Sequence, residues 1–259
     1  MSRHGDGSAG DADYGAIGPG YTEYRRPEPA IASWIEEALG SARSVLNVGA
    51  GAGSYEPSGR IITPVEPSAA MRAQRPPHLP AAVDAVAESL PFPDGAFDAA
   101  LASFTVHQWQ DLEAGLREVR RVTRGPVLVL SCDPDRVQDF WLNDYAADVL
   151  ATERRRYPSL ERISALLGGR ARVQAVPIPL NCRDGFNEAY YGRPERLLED
   201  GARRANSAWS FVPEDVANAA VARLQTDLVS GHWDARFGHL RRQPEFGGSL
   251  RLVVAEPGA

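Results

Sequence analysis

The sequence predicts an α/β protein: a seven-stranded, mostly parallel sheet with helices on both faces and a helical insertion between the last two strands. Three observations predict it. An apolar run, Val45-Leu46-Asn47-Val48, feeds glycines spaced GxGxG at Gly49, Gly51 and Gly53, where backbone can press close against a ligand. The next apolar run, Arg60 to Val65, ends in the carboxylate of Glu66. Apolar runs suited to buried parallel strands then alternate with helical patterns. Strand, glycine loop, strand and carboxylate describe a Rossmann-like nucleoside-binding crevice at the carboxyl ends of parallel strands, with Glu66 accepting hydrogen bonds from vicinal ribose hydroxyls.

The elements follow in chain order. A helix opens after Pro27 and Pro29, sets Ile31, Trp34, Ile35 and Leu39 on one face, and closes at Gly40. Strands run from Ser44 to Val48 and from Arg60 to Val65, and Pro67 and Ser68 start a short helix through Met71. Val83 to Glu88 leads into the turn Pro93-Asp94-Gly95, which feeds another apolar run, Ala99 to Phe104. Asp111 caps a helix with Leu112, Leu116, Val119 and Val122 at helical spacing; Gly125-Pro126 breaks it before the strand Val127 to Leu130. Phe140, Trp141, Tyr145 and Val149 mark one further helix, and Leu160, Ile163, Leu166 and Leu167 a second, ended by Gly168 and Gly169. Ala171 to Ile178 and Ser249 to Ala255 read as the last two strands.

About seventy residues separate those strands, too many for a loop without structure of its own. They contain an aromatic cluster (Phe186, Tyr190, Tyr191, Trp209, Phe211), a helix from Glu214 to Ser230, and a final loop holding His232, Trp233, Phe237, His239 and Phe246. The aromatics either pack the insertion onto the sheet or line a lid over a ligand pocket. The expected organisation is a disordered tail at 1–12, a core formed by 13–178 and 249–259, and the insertion at 179–248.

With 259 residues, 43% of them hydrophobic and 24% charged, the chain has the composition of a globular protein that buries a sizeable core. A net charge of -6 and the lack of a basic stripe argue against nucleic acid as a partner. Cys132 and Cys182 make neither a disulfide framework nor a CxxC metal motif, so a reducing cytoplasm is expected. No signal peptide is expected from the Gly, Ser and Asp-rich start, and no membrane partner, because no apolar run reaches about 18 residues. Motifs of serine hydrolases, zinc peptidases and phosphate loops are absent, and no metal site is expected. Asp133 and Asp135 read as loop and cap residues; Arg154-Arg155-Arg156 and Arg203-Arg204 read as solvated helix faces.

The segments VLNVGAGAG (45–53), VEPS with Met71, AESLPFPDGAFDAALASFTVHQW (87–109) and LREVRRVTRGPVLVL (116–130) resemble a class-I S-adenosylmethionine (SAM)-dependent methyltransferase, of the subgroup with an LPFPD-x-x-FD turn after the third strand. The resemblance spans roughly residues 14 to 132. It implies SAM as cofactor, with contacts at Asn47, Gly49, Ala50, Gly51, Glu66, Pro67, Met71, Ala87, Glu88 and Ser103, and a small-molecule methyl acceptor. Similar enzymes close a Tyr-rich arm with an Arg over the cofactor, which points to the arm of Tyr14, Tyr21, Tyr24 and Arg25, with Tyr14, Tyr24 and Arg25 as the expected contacts; the competing reading of Arg25-Arg26 is a solvated helix lead-in.

Three positions depart from the family pattern. Asn47 replaces the usual Asp at the end of the first strand, and Val86 replaces the polar residue that often meets the adenine amino group, leaving the backbone at Ala87 and the side chain of Glu88. Only seven residues separate Gly53 from Ile61, so the helix of the first crossover is expected to shrink to a turn.

Methyl transfer from a sulfonium gains chiefly from holding nucleophile and methyl carbon collinear and dry. A phenol, alcohol or ammonium acceptor also needs a base, and His107, leaving the strand near the expected methyl position, is the expected one. The alternative is a structural His107 that holds its loop. Two other function classes share the crevice: an NAD-type oxidoreductase, disfavoured by the curtailed helix, and a SAM-binding protein of the same fold without methyl transfer.

Overall fold

The computed structural model describes residues 5, 6, 8, 10–17, 20–168 and 170–258. Two short helices, α1 (Tyr14–Ile17) and α2 (Tyr21–Tyr24), precede α3 (Pro29–Leu39). Pro29 begins α3, the Glu28 side chain caps it by accepting from Ala30 N, and Ile31, Ile35 and Leu39 form its buried face. Strands β1 (Ser44–Val48) and β2 (Ile61–Val65) pair in parallel. Helix α4 (Ala69–Arg72) is capped by Ser68, whose Oγ accepts from Met71 N. Strand β3 (Ala99–Ser103), helix α5 (Leu112–Val122, capped by Asp111) and strand β4 (Val127–Cys132) complete the parallel half.

Helices α6 (Ala147–Arg156) and α7 (Leu160–Leu167) lead to β5 (Arg170–Ala175) and the short β6 (Ile178–Pro179). The insertion carries α8 (Asp200–Arg204), α9 (Glu214–Ser230), α10 (His232–Phe237) and β7 (Glu245–Phe246), and the described chain closes with β8 (Leu250–Glu256). The main sheet has the order β2-β1-β3-β4-β8-β5, with β8 antiparallel to both neighbours. Over the central strands both faces are buried, and side chains alternate between them with the period of two that a strand imposes. Val45, Leu101, Leu128, Leu130, Leu252 and Val254 meet α3, α6 and the insertion. Leu46, Val48, Ala100, Val127, Val129 and Val253 meet α5 and α7.

Six strands form the sheet where seven were expected. The missing edge strand is a single parallel bridge between Val65 and Val83. Ile61 N donates to Arg43 O and Val65 O accepts from Gly49 N, so alternate residues of β2 face β1 and Pro64 faces the outer edge. Pro64 accepts from Val83 N but has no N–H to return, and the ladder cannot extend past it.

Other boundaries also moved. Pro177 interrupts the strand expected over 171–178, so β5 ends at Ala175 and Ile178 pairs with Phe246 in a separate two-stranded ribbon. Phe140, Trp141 and Tyr145 lie in or beside 3-10 turns that precede α6 rather than in a helix. The final loop of the insertion is largely helical: Gly231, left-handed at φ 80, ends α9 and starts α10, which buries Trp233 edge-on against Trp141 at 5.4 Å.

Where the first crossover helix would lie, residues 51–55 make only turns. A buried ion pair, Arg75–Glu56 at 2.9 Å, holds that stretch, with side chains 4% and 2% exposed. The first dozen residues were expected as a disordered tail; of those described, Ser8 and Ala12 are buried, and Asp6 accepts from Ser68 Oγ at 2.5 Å. The insertion is tied to the sheet by Glu188, whose carboxylate accepts from Ser249 N and from Ser249 Oγ at 2.8 Å.

Glu56→Ala leaves the Arg75 guanidinium buried without its carboxylate and is expected to cost about 3–5 kcal/mol of unfolding free energy in urea titrations. Burial raises the Glu188 carboxyl from its ordinary 4.5 to about 7, against the opposing bonds from Ser249 and the more distant Arg251 and Arg136. The folded chain therefore holds a proton in this interval that the unfolded chain has released. That stability is full below about pH 4.5 and is lost as pH rises through about 7. Glu188→Gln is expected to remove up to about 1.4 kcal/mol per pH unit from the slope of stability between those limits. An unchanged slope would place the titration elsewhere.

Candidate active site

The carboxyl ends of β1, β2 and β3 open onto a crevice of about 890 Å³ of empty space, its open mouth included. Its floor is the turn after β1. Val65 O accepts from both Gly49 N and Ala50 N, and this bends the chain sharply out of the sheet. Gly49 stands at φ 68, and a Cβ there would collide with the Thr105 side chain; Gly51 stands at φ 51. Both positions exclude ordinary side chains, which leaves backbone as the surface a ligand meets.

Glu66 closes one side. One carboxylate oxygen accepts from Gly51 N and the other from Ser68 N, each at 2.8 Å. Burial raises its pKa, opposed by those two bonds. Each oxygen retains a second lone pair, so the group can accept from two adjacent hydroxyls while staying fixed by backbone. Pro67, Met71 and residues 85–88 extend this wall, while Ser103, Phe104, Thr105, Gln108 and Trp109 form the opposite one. The described amino-terminal arm and the insertion cover the top through Ser8, Gly10, Tyr21, Arg25 and Asp184.

Ten of the expected cofactor residues meet in this crevice: Arg25, Gly49, Ala50, Gly51, Glu66, Pro67, Met71, Ala87, Glu88 and Ser103. Arg25 is held there by Asp184, its Nε 2.5 Å from Asp184 Oδ1. The Glu88 side chain also accepts from Asp111 N. Asn47 is not in the crevice; it is fully buried behind the glycine turn, donating from Nδ2 to Glu56 Oε1 at 3.2 Å. Its side chain is engaged instead by Glu56, in the loop that stands where the crossover helix would lie. Tyr24 faces the other way, against Gly201 and beneath Arg196. The Tyr14 side chain lies outside the described residues.

A second, smaller cavity, about 450 Å³ of empty space with its open mouth included, abuts the first and shares Tyr21, Arg25 and Phe104 with it. His107 lines this second cavity rather than the crevice. Its ring meets Tyr157 edge-on at 4.7 Å, its Nε2 lies 2.9 Å from the Gln108 amide nitrogen, and its shielded Nδ1 has no hydrogen-bond partner among the described residues. Burial, with Arg156 and Arg25 nearby, holds His107 well below its ordinary 6.5, so it is neutral at physiological pH. Glu153 lines the same cavity, its carboxyl raised to about 7 by burial and by Glu188.

Sequence reasoning missed several of these groups. Asp184 lies in the insertion with no motif around it, and Glu153 sits one residue before an arginine run that read as a solvated face. Arg154 and Arg155 are exposed as expected, but Arg156 lines the cavity and bonds Asp11 and Ser207. Phe104 carried a weak signal, being the last apolar residue of its run. In the structure it takes a left-handed φ of 51, uncommon for an aromatic residue, and this places its ring between the two cavities.

Comparison with known proteins points to a methyltransferase fold. Residues 46–129 match the family model described as a methyltransferase domain. An uncharacterised Escherichia coli protein, YafE, is 37% identical over 84 residues, a match that spans 31% of this chain and 41% of that protein. A solved structure from Anabaena variabilis, described as a candidate methyltransferase of an antibiotic biosynthesis pathway, superposes with a TM-score of 0.83 at 26% identity, covering 90% of this chain and 99% of the other. The Haemonchus contortus phosphoethanolamine N-methyltransferase 2, solved with SAM, shares the fold at 15% identity (TM-score 0.55; 95% and 58% covered). The [4+2]-cyclase SpnF shares it at 18% identity (TM-score 0.54; 88% and 80% covered). Residues 46–129 thus match a methyltransferase domain, and these likenesses together support a class-I SAM-dependent methyltransferase with SAM as cofactor.

Proposed function

We propose that this protein transfers a methyl group from SAM to an oxygen, nitrogen or carbon atom of a small molecule, and that the acceptor occupies the second cavity. The observation that carries this reading is the contact of two unlike spaces across Tyr21, Arg25 and Phe104: a glycine-floored crevice with a ribose clamp, and a smaller aromatic cavity with ionisable groups. When bound, SAM supplies an electrophilic methyl on a sulfonium. Glu66 would hold the ribose hydroxyls, and the backbone at Gly49 to Gly51 would lie against the cofactor's tail.

The chain's own contribution is then placement and exclusion of water. Arg25 lines the cofactor side with Asp184 fixing its orientation, and the rings of Tyr21 and Phe104 border the same space, where a sulfonium would gain from cation–π attraction. Residues 179–248 act as the acceptor lid in this reading, through Phe186, Ala205, Asn206 and Ser207. His107, held neutral, would take a proton from the acceptor at Nε2 as the methyl arrives, the Gln108 amide giving up its contact there. The enclosed cavity and the net charge of -6 support a compact acceptor over nucleic acid.

Calorimetry with S-adenosylhomocysteine and with NAD is expected to show binding of the first only; heat with NAD alone would defeat the proposal. Gly49→Ala, which forces a Cβ onto Thr105, is expected to weaken S-adenosylhomocysteine binding by at least about tenfold. With an acceptor found by a radiolabelled methyl-transfer screen, His107→Ala is expected to lower turnover by about a hundredfold while changing cofactor affinity little. Unaltered turnover would leave His107 a structural residue.

A further inference from the structure

The second cavity has an uneven charge account among its described residues. Arg25 is committed to Asp184 and to Ala205 O. Arg156 is committed to Asp11 through Nε and Nη2 and to Ser207 through Nη1. Glu153 has no such counter-ion: one carboxylate oxygen accepts from Asn187 Nδ2 at 2.8 Å, and the other has no partner among the described residues. The bonded side is fixed from behind, because Trp209 Nε1 donates to Asn187 Oδ1 at 3.1 Å. Two consecutive buried bonds thus hold the carboxylate in one orientation and leave one oxygen available in a cavity walled partly by rings.

We propose that the acceptor is a small molecule bearing a cationic nitrogen, bound in this second cavity with the nitrogen against the free oxygen of Glu153 and among the rings of Phe104, Tyr157 and Phe186. The proposal rests on the methyltransferase reading above and gives its acceptor a chemical class. A protonated amine supplies the charge that Glu153 lacks and donates the hydrogen bond that its second oxygen can accept. The aromatic walls add cation–π attraction in a site largely withdrawn from water. Burial and the neighbouring Glu188 carboxylate hold Glu153 near neutrality in the empty cavity, opposed by Asn187, Arg156 and Arg25. An arriving cation therefore gains by keeping it ionised. A carboxylate-bearing acceptor would instead meet Glu153 with like charge, while both arginines already hold carboxylates.

The test uses the full chain saturated with S-adenosylhomocysteine at pH 8, titrated by calorimetry with tyramine, 4-ethylphenol and 4-hydroxyphenylacetate, which present related phenol rings with a positive, absent or negative tail. Tyramine is expected to bind at least about tenfold more tightly than 4-ethylphenol, with 4-hydroxyphenylacetate weakest. Glu153→Gln is expected to bring tyramine and 4-ethylphenol within about threefold of each other, and Glu153→Asp, which keeps the charge, to retain a preference for tyramine. Undiminished binding of S-adenosylhomocysteine checks that each variant is folded. The proposal is overturned if the neutral or anionic probe binds as well as tyramine, if the preference survives Glu153→Gln, or if none of the three binds the loaded protein. Failure to bind S-adenosylhomocysteine would instead sink the methyltransferase reading, so the two failures are distinguishable.

Discussion

The buried carboxylate of Asp184 joins three parts of the chain that lie apart in sequence. It accepts from Arg25 Nε at 2.5 Å and from the Tyr55 hydroxyl at 2.9 Å, and the residue is 3% exposed. Arg25 belongs to the amino-terminal arm, Tyr55 to the loop after the glycine turn, and Asp184 to the insertion. Neighbouring backbone bonds reinforce the junction, from Gly185 N to Tyr24 O and from Arg183 N to the Glu28 carboxylate. A buried charge left unpaired is costly, so arm, loop and insertion are coupled. The crevice roof and the partition between the two cavities both depend on that coupling, since Arg25 lines both.

The same junction explains how the fold manages without its first crossover helix. A full helix there would normally offer its amino terminus and dipole to the ligand. Here Tyr55, at φ 57, and the Arg75–Glu56 pair hold a chain of turns in the vacated space, with Asn47 turned inward to bond Glu56. In the proposed reading, recognition therefore leans on Glu66 and on tightly folded backbone.

Two acidic residues show how environment divides their work. Glu66 is braced by two backbone N–H groups, so both its oxygens keep a fixed direction toward the crevice. Glu153 has one side-chain amide on one oxygen and none on the other. The first arrangement suits a clamp for a constant part of a ligand. The second suits selection, because its unmet charge sets a requirement that only some molecules satisfy.

Much of the crevice was legible from local sequence because its signals are local. Gly49 and Gly51 must be glycines to turn the chain at positive φ, Glu66 follows its strand directly, and Ser68 and Asp111 are caps with nearby amide partners. Apolar periodicity likewise located α3, α5, β1 and β4. Pro64 and Pro177 were visible too, but which neighbour each missing N–H would face depends on strand pairing, and so the lost seventh strand and the shortened β5 were not foreseen.

The sequence by itself determined the fold class, and it marked out the glycine turn and the buried carboxylate that line the candidate crevice, since each arises from residues close together in the chain. Tertiary structure alone decided that Asp184 anchors Arg25, that Asn47 turns away, and that His107 and Glu153 share a cavity. Those relations join segments that are up to 159 residues apart. No local pattern encodes such meetings, because only the packed sheet and insertion bring these side chains together and withdraw them from water.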